Sequence, residues 1–362
     1  MKTFLGHLKR SQRLTVVIAV ALTVTTGVLV AVRADPVVRF VVAGLDLAAL
    51  AALVGEAIDQ VGERLGPGPT GLIQSTLGNL PELFVGIFAL RDGLTGVVRS
   101  ALVGSVLGNA LLVLGMAFVT GGLRHGPQKF DAEAPRLNAS LLLLVVAALL
   151  VPTLATHLGT PAASHAGALS DDLAVILLVV YALSIPYYLR RTPRPEGAGG
   201  PPDEESDSES WPLALSIGLL ALGSAGAAVA ADWFVAPLQK ATESIGLSQT
   251  FTGLVVVAIA SNAVENAVGV RFAWKAKPEY AISTTLNSPL QVALLLTPVL
   301  VLISHAVGPA KLTLVFPPLL VAALAITATV VTVVIYDGEY TWIEGVALIA
   351  LYCMLVAAFW WG

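Results

Sequence analysis

Eleven apolar stretches, each close to the ~20 residues a helix needs to cross a bilayer, follow one another along this chain. They cover residues 14–32, 37–57, 70–90, 97–120, 137–157, 172–189, 212–231, 249–270, 279–304, 311–335 and 341–361. In hydrocarbon every backbone N–H and C=O must be satisfied within the protein, so only helices and closed barrels span it. A barrel strand uses only about 9–11 residues. The fold class is therefore an all-α polytopic membrane protein with about 11 transmembrane helices. Charged residues make up 12% of the chain, against roughly 25% in a soluble domain. Mean hydropathy is +0.83. The single Cys353 excludes an intrachain disulfide or thiolate cluster, and without a basic patch nucleic acid is not a partner.

The first stretch follows Lys2, Lys9, Arg10 and Arg13. Its apolar core exceeds the 7–15 residues of a signal-peptide core, so it reads as a retained helix. With the N-terminus in the cytoplasm, 14 of the 20 Lys and Arg fall on the inner side, as the positive-inside rule requires. The C-terminus then lies on the opposite side, and the chain is expected in a cell (inner) membrane as a multi-pass protein. Residues 190–210, RRTPRPEGAGGPPDEESDSES, are too polar and too rich in Pro and Gly to fold. They read as an acidic cytoplasmic linker. The domain division is then 1–36, an extra N-terminal helix; 37–189, a first five-helix repeat; 190–210, the linker; and 211–362, a second five-helix repeat.

The halves carry the same motif. STLGNLPELFVGIFAL at 75–90 aligns with AIASNAVENAVGVRFA at 258–273 at an offset of 183, pairing Asn79 with Asn262, Glu82 with Glu265 and Gly86 with Gly269. The next helix of each half holds a further polar cluster: Ser105 and Asn109, then Asn287, Ser288 and Gln291. Five crossings per half invert the second copy, which places a shared site near the pseudo-twofold axis at mid-membrane.

A carboxylate at the bilayer centre costs several kcal/mol, so intramembrane acids face bundle interiors and serve ion or proton pathways. Asn79 and Glu82, like Asn262 and Glu265, are three residues apart and share a helix face. Gly78 and Pro81 loosen the first helix; Ser261 replaces Gly78 in the second, which lacks the proline, so a gentler break is expected there. Two carboxylates, amides and freed carbonyls make an all-oxygen shell that suits Ca²⁺ better than Mg²⁺. The five histidines, His7, His125, His157, His165 and His305, sit near loops or helix ends. No basic residue lies deep in a span, so a mobile cation or proton must neutralise the pair.

These segments resemble the calcium/cation antiporter superfamily, most closely its cation/proton exchanger branch, over nearly all of 37–361. GNLPELFVGIFALRDGL (78–94), SALVGSVLGNALLVLG (100–115), GLSQTFTGLVVVAIASNAVENAVGV (246–270), SPLQVALLLTP (288–298) and DGEYTWIEG (337–345) carry the resemblance. It implies two homologous five-helix halves exchanging Ca²⁺ for H⁺. Glu82 and Glu265 match its central acidic pair, Asn79 and Asn262 neighbouring ligands, and Ser105, Asn109, Ser288 and Gln291 the polar positions of the following helices. Asp59 and Asp232 stand where that family places acids along cation access routes. Asp46 and Glu56 lack such support and read as solvated acids near helix ends. Two departures stand out: Asn266 follows Glu265 where the branch has histidine, and Gln249 replaces an acid.

The resulting expectation is an antiporter exporting Ca²⁺ in exchange for H⁺ by alternating access, with no cofactor. A Na⁺/Ca²⁺ exchanger of the same superfamily is the alternative. An intramembrane enzyme would need a nucleophile or histidine-based metal site near the acids, and a channel would conduct far faster than a carrier.

Overall fold

A computed structural model describes residues 10–65, 77–190 and 211–361; within helices, the side chains of residues 59, 62–65, 187–190 and 263–267 are outside that description. All of the expected 190–210 linker but its first residue, which ends a helix, and the start of the third crossing therefore lie outside the described residues. The helices are α1 (Arg10–Ala31), α2 (Pro36–Leu65), α3 (Leu80–Arg91), α4 (Thr95–His125), α5 (Glu133–His157) and α6 (Ala166–Arg190). In the second half they are α7 (Leu213–Val235), a short α8 (Leu238–Ser244), α9 (Gln249–Ser261), α10 (Ala263–Trp274), α11 (Pro278–Val307), α12 (Pro318–Val334) and α13 (Trp342–Trp360). Among the described residues, 8 helices are long and apolar enough to cross a membrane. Shorter pieces make the other three crossings: α3, the α9–α10 pair, and α12.

The direction of each crossing follows from end-to-end contacts. At 1.5 Å per residue, the 31-residue α4 spans about 46 Å, so its two ends lie on opposite faces of the bundle. Beside its start, Gly96 approaches the Gln249 side chain at the start of α9, and Gly93, just past α3, meets Pro309, just past α11. At its other end, His125 contacts the Trp274 carbonyl at the end of α10, and the Arg124 guanidinium lies 4.2 Å from the Trp274 ring centroid. Thus α3 runs toward one face and α10 toward the other. This is the inversion that an odd number of crossings per half requires.

The halves interlock at points without side chains. A Cβ on Gly104 of α4 would stand 2.0 Å from the Leu254 carbonyl oxygen of α9, and one on Gly253 would stand 2.6 Å from the Val97 carbonyl oxygen. Gly115 and Gly345 bring α4 and α13 together in the same manner. Small residues at such crossings let backbones touch, which drives helix association where lipid removes the usual hydrophobic incentive. On the face holding His125, two-residue strands β1 (Gln128–Lys129) and β2 (Glu339–Tyr340) pair antiparallel and tie the halves. By contrast α1 packs on α2 and α7 alone among the larger contacts, and its Leu14, Val17, Val20, Val24 and Val28 are exposed.

Two expectations need correction. The tenth stretch is not helical from 311: residues 311–317 are extended and α12 starts only at Pro318. Pro317 and Pro318 cannot donate helical hydrogen bonds, so the first turn begins with them. The extended part buries alternate residues Leu312, Leu314 and Phe316. Their backbone N–H groups donate to hydroxyls of Ser304 (2.8 Å), Ser170 (2.9 Å) and Thr153 (3.1 Å), and Arg99 of α4 donates to the Thr313 carbonyl (3.2 Å). Irregular backbone is thus satisfied by α11, α6, α5 and α4 rather than by water. Asp46, in turn, is no solvated helix-end acid: it is the eleventh residue of α2, covered by α1 at 0% exposure, while the extension of α2 to Leu65 takes Glu56 inside the helix, half-buried.

Candidate functional site: a cross-half polar cluster

Both motif asparagines sit where a helix is interrupted. Asn79 has φ −87° and ψ 12°, Asn262 has φ −102° and ψ 14°, and each precedes the first turn of the helix bearing its glutamate. The second break is therefore as sharp as the first, contrary to the gentler one expected. Proline is not its cause; Pro81 occupies the first turn of α3, where a missing N–H costs nothing. In the second copy the Asn262 side-chain amide donates to the Ala258 carbonyl (2.9 Å), holding its own backbone in the turn.

Each asparagine reaches across to the opposite half. Asn79 donates to Gln291 Oε1 of α11 (3.1 Å). Asn262 Oδ1 accepts from Ser105 Oγ (3.1 Å) and Asn109 Nδ2 (2.8 Å) of α4, and Asn109 Nδ2 also stands 3.3 Å from Ser288 Oγ of α11. Ser261 Oγ donates to the Val257 carbonyl (3.0 Å). Residues from four helices and both halves thus make two sets of cross-half bonds, Asn79 with Gln291 and Asn262 with Ser105 and Asn109; all of these residues but the half-buried Gln291 are 1–7% exposed. These bonds favour one arrangement of the halves, while among the described residues Asn109 Oδ1 is buried without a hydrogen-bond partner.

Glu82, 8% exposed, faces a cavity bounded by α3, α4, α9 and α11, with Ser105 and Ser261 as its other polar walls and Val85, Leu102, Val257 and Leu300 among the apolar ones. The centre of a water-sized sphere sweeps about 20 Å³ there, room for one small ion or water. Glu265 lies one turn beyond Ser261 in sequence; its side chain, like that of Asp59, lies outside the described residues. Among the described residues no group of three or more His, Cys, Asp and Glu comes together. The amides, hydroxyls and Glu82 are hard oxygen donors, the kind Ca²⁺ takes.

Three features were not legible in the motif. Three helices widen to π-type turns beside the cluster: Gly108–Val113 in α4, Thr252–Val257 in α9 and Val292–Leu296 in α11. The first and last fall at nearly the repeat offset. Such turns release carbonyls from the regular ladder and recur at functional sites. Asn138 of α5, buried at 4%, donates to Asn287 Oδ1 (2.7 Å), whose Nδ2 donates to Ser283 Oγ (3.1 Å), a further polar chain between α5 and α11. Asp232 is not in the cluster; it pairs with Arg91 at the end of α3 (2.6 Å).

The family model described as "Sodium/calcium exchanger protein" matches residues 36–189 and 215–361. The chain belongs to the sodium/calcium exchanger protein family. That family is one of transporters, not of enzymes. Among the exchanger's relatives, the Ca(2+)/H(+) antiporter of Synechocystis sp. is 37% identical, covering 88% of this chain and 90% of its own. The Ca(2+)/H(+) antiporter ChaA of Bacillus subtilis is 32% identical, covering 89% and 92%. Among solved structures, native YfkE matches with a TM-score of 0.81 at 28% identity, covering 96% of the exchanger and 100% of its own chain.

Proposed function

We propose that this exchanger moves Ca²⁺ across a membrane in return for protons, by alternating access around Glu82 and Glu265. The reciprocal network carries the reading: each half supplies an asparagine at a helix break, and each asparagine is held by the other half. Relatives named Ca(2+)/H(+) antiporters at 32–37% identity support it.

The mechanism is one of charge balance. Empty and ionised, two carboxylates carry about −2, and passing that charge through a low-dielectric barrier is costly. One Ca²⁺ or two protons cancel it, so only loaded forms change access and the two cargoes move in opposite directions. Glu82 and Glu265 bind either cargo; Asn79, Asn262, Ser105, Asn109, Ser288 and Gln291 supply or orient neutral oxygens; Gly78 and Ser261 keep the breaks slim. Asp59 and Asp232 stand along the access routes, where Arg91 screens Asp232 until a cation arrives.

The division into residues 1–36, 37–189, 190–210 and 211–362 belongs to the same proposal, as does the orientation. With the N-terminus cytoplasmic, the ends of α4 and α10, rich in Lys and Arg, face inward, and the cavity beside Glu82 runs along α3 toward the outer face. A cell (inner) membrane suits that placement.

The test is transport by the purified chain in sealed vesicles. A pH gradient should drive Ca²⁺ flux in sodium-free buffer, and Glu82→Gln or Glu265→Gln should abolish it. A strict sodium requirement would instead make the chain a Na⁺/Ca²⁺ exchanger and overturn the proton half of the reading.

A further inference from the structure

A second acid lies at membrane depth, away from the cluster. Asp46 is the eleventh residue of α2, about 15 Å along a helix crossing a layer of about 30 Å. Gly44 faces Phe234 and Ala260, toward the bundle. Two residues on, about 200° round the helix, Asp46 meets α1, where Thr23 Oγ1 stands 2.7 Å from its Oδ1. Its Oδ2 is buried without a partner.

Counting hydrogens gives the protonation state. Thr23 Oγ1 also stands 2.9 Å from the Ala19 carbonyl oxygen, yet a hydroxyl has one hydrogen for two such contacts. Neighbouring Thr25 and Thr26 commit theirs to the carbonyls one turn back, at 2.7 and 2.8 Å. If Thr23 does likewise, the 2.7 Å contact is bonded only when the carboxyl supplies the hydrogen. An ionised Asp46 would have only the Thr23 and Thr26 hydroxyls to draw on, each also facing a carbonyl one turn back, and no counter-ion, which a lipid-shielded site does not tolerate.

Charged groups on the packed elements leave it alone. Among the described residues no cation is within ion-pair distance of Asp46. On α1, Arg10 and Arg13 precede Thr23 by ten residues or more, about 15 Å. On α7, Asp232 is taken by Arg91. On α8, Lys240 and Glu243 are exposed. On α10, Glu265 falls in the cargo site proposed above and Arg271 is exposed in the last turn, α9 carries no charge, and on α2 itself Arg39 is two turns away and Glu56 nearly three.

We propose that Asp46 is a second proton-binding site, holding a resident proton that latches α1 onto α2. With most of α1 facing outward, the seam depends on few contacts. Deprotonating Asp46 would place a bare carboxylate in it, and α1 must part from α2 to admit water. Glu56 repeats the arrangement nearer the other face, with Thr15 Oγ1 2.9 Å from its Oε1.

The experiment uses the full chain in lipid vesicles without Ca²⁺. Infrared difference spectra of wild type against Asp46→Asn at neutral pH should contain the carbonyl stretch of one protonated carboxyl. Thr23→Val should shift that stretch as its hydrogen-bond partner is lost. Amide exchange in α1, corrected for intrinsic rates, should rise about tenfold per pH unit once Asp46 ionises, and stay flat in Asp46→Asn, which is permanently neutral. Absence of the band, a band unmoved by Thr23→Val, or an equal rise in Asp46→Asn overturns the proposal. Should Asp46→Asn not fold, the Thr23→Val shift alone decides. None of these readouts involves ion exchange, so their failure is separate from failure of the transport reading.

Discussion

Gly104→Ala adds one methyl group and removes no polar atom, yet it should disable the site. The new Cβ would stand 2.0 Å from the Leu254 carbonyl oxygen and 2.7 Å from its Cα, both backbone atoms that no rotamer change can move. Ordinary contact begins near 3.4 Å, so α4 and α9 must part locally by about 1.4 Å in a core packed as densely as a crystal. Ser105 adjoins Gly104, and its 3.1 Å bond to Asn262 would stretch to about 4.5 Å, beyond hydrogen bonding. Overpacking of this kind costs about 1–3 kcal/mol, and displaced ligand-orienting bonds typically cost 10–100-fold in metal affinity. Gly108→Ala is the control: it lies one turn further along the same helix, and its Cβ would meet nothing within 4 Å. Thermal unfolding in detergent and the Ca²⁺ concentration for half-maximal flux in vesicles measure the two effects. Equal behaviour of the two variants, or a Gly104→Ala protein with wild-type affinity, would refute the claim that the α4–α9 contact positions the cluster.

Other outcomes follow from the same geometry. Asn262→Ala removes two bonds between the halves; at about 0.6 kcal/mol each in a membrane, stability should fall by only about 1 kcal/mol while half-saturation by Ca²⁺ rises 10–100-fold, which melting and flux titrations would separate. Asp232→Asn breaks a pair whose side chains are 47% and 37% exposed, so the melting free energy should change by less than about 1 kcal/mol. Burial against Phe118 pushes the Tyr340 phenol up to about 12. Its ordinary value is near 10, so the folded state keeps the proton longer; that stability is whole below about pH 10 and lost as pH rises through about 12. Chemical denaturation across that window should lose up to about 3 kcal/mol in wild type and correspondingly less in Tyr340→Phe.

Asparagine and glutamate are rare inside apolar helices, so their recurrence at a spacing of 183 marks the cluster in the sequence itself. Hydropathy likewise identified the crossings, because length and apolar content are what a bilayer selects. What it could not locate was backbone irregularity. The extended stretch 311–317 is as apolar as a helix, and its support comes from hydroxyls of residues more than a hundred positions away in the case of Ser170 and Thr153. The π-type turns leave no signature in residue type. Asp46 and Asn138 share one reason for being illegible in the sequence: whether a polar residue of a span meets water or a neighbouring helix depends on where that neighbour lies. The partners here, Thr23 and Asn287, become visible only once the helices are packed.

The central claim is that one acidic site is discharged alternately by Ca²⁺ and by protons. Its most direct measurement is simultaneous recording of Ca²⁺ and pH inside vesicles carrying the purified chain, with sodium absent and no other gradient imposed. Addition of external Ca²⁺ should move Ca²⁺ inward and protons outward in a fixed ratio of about two protons per ion, as charge balance at two carboxylates requires. Both signals should vanish together in Glu82→Gln. Calcium movement with no change of internal pH, or either signal persisting in that variant, would contradict the account.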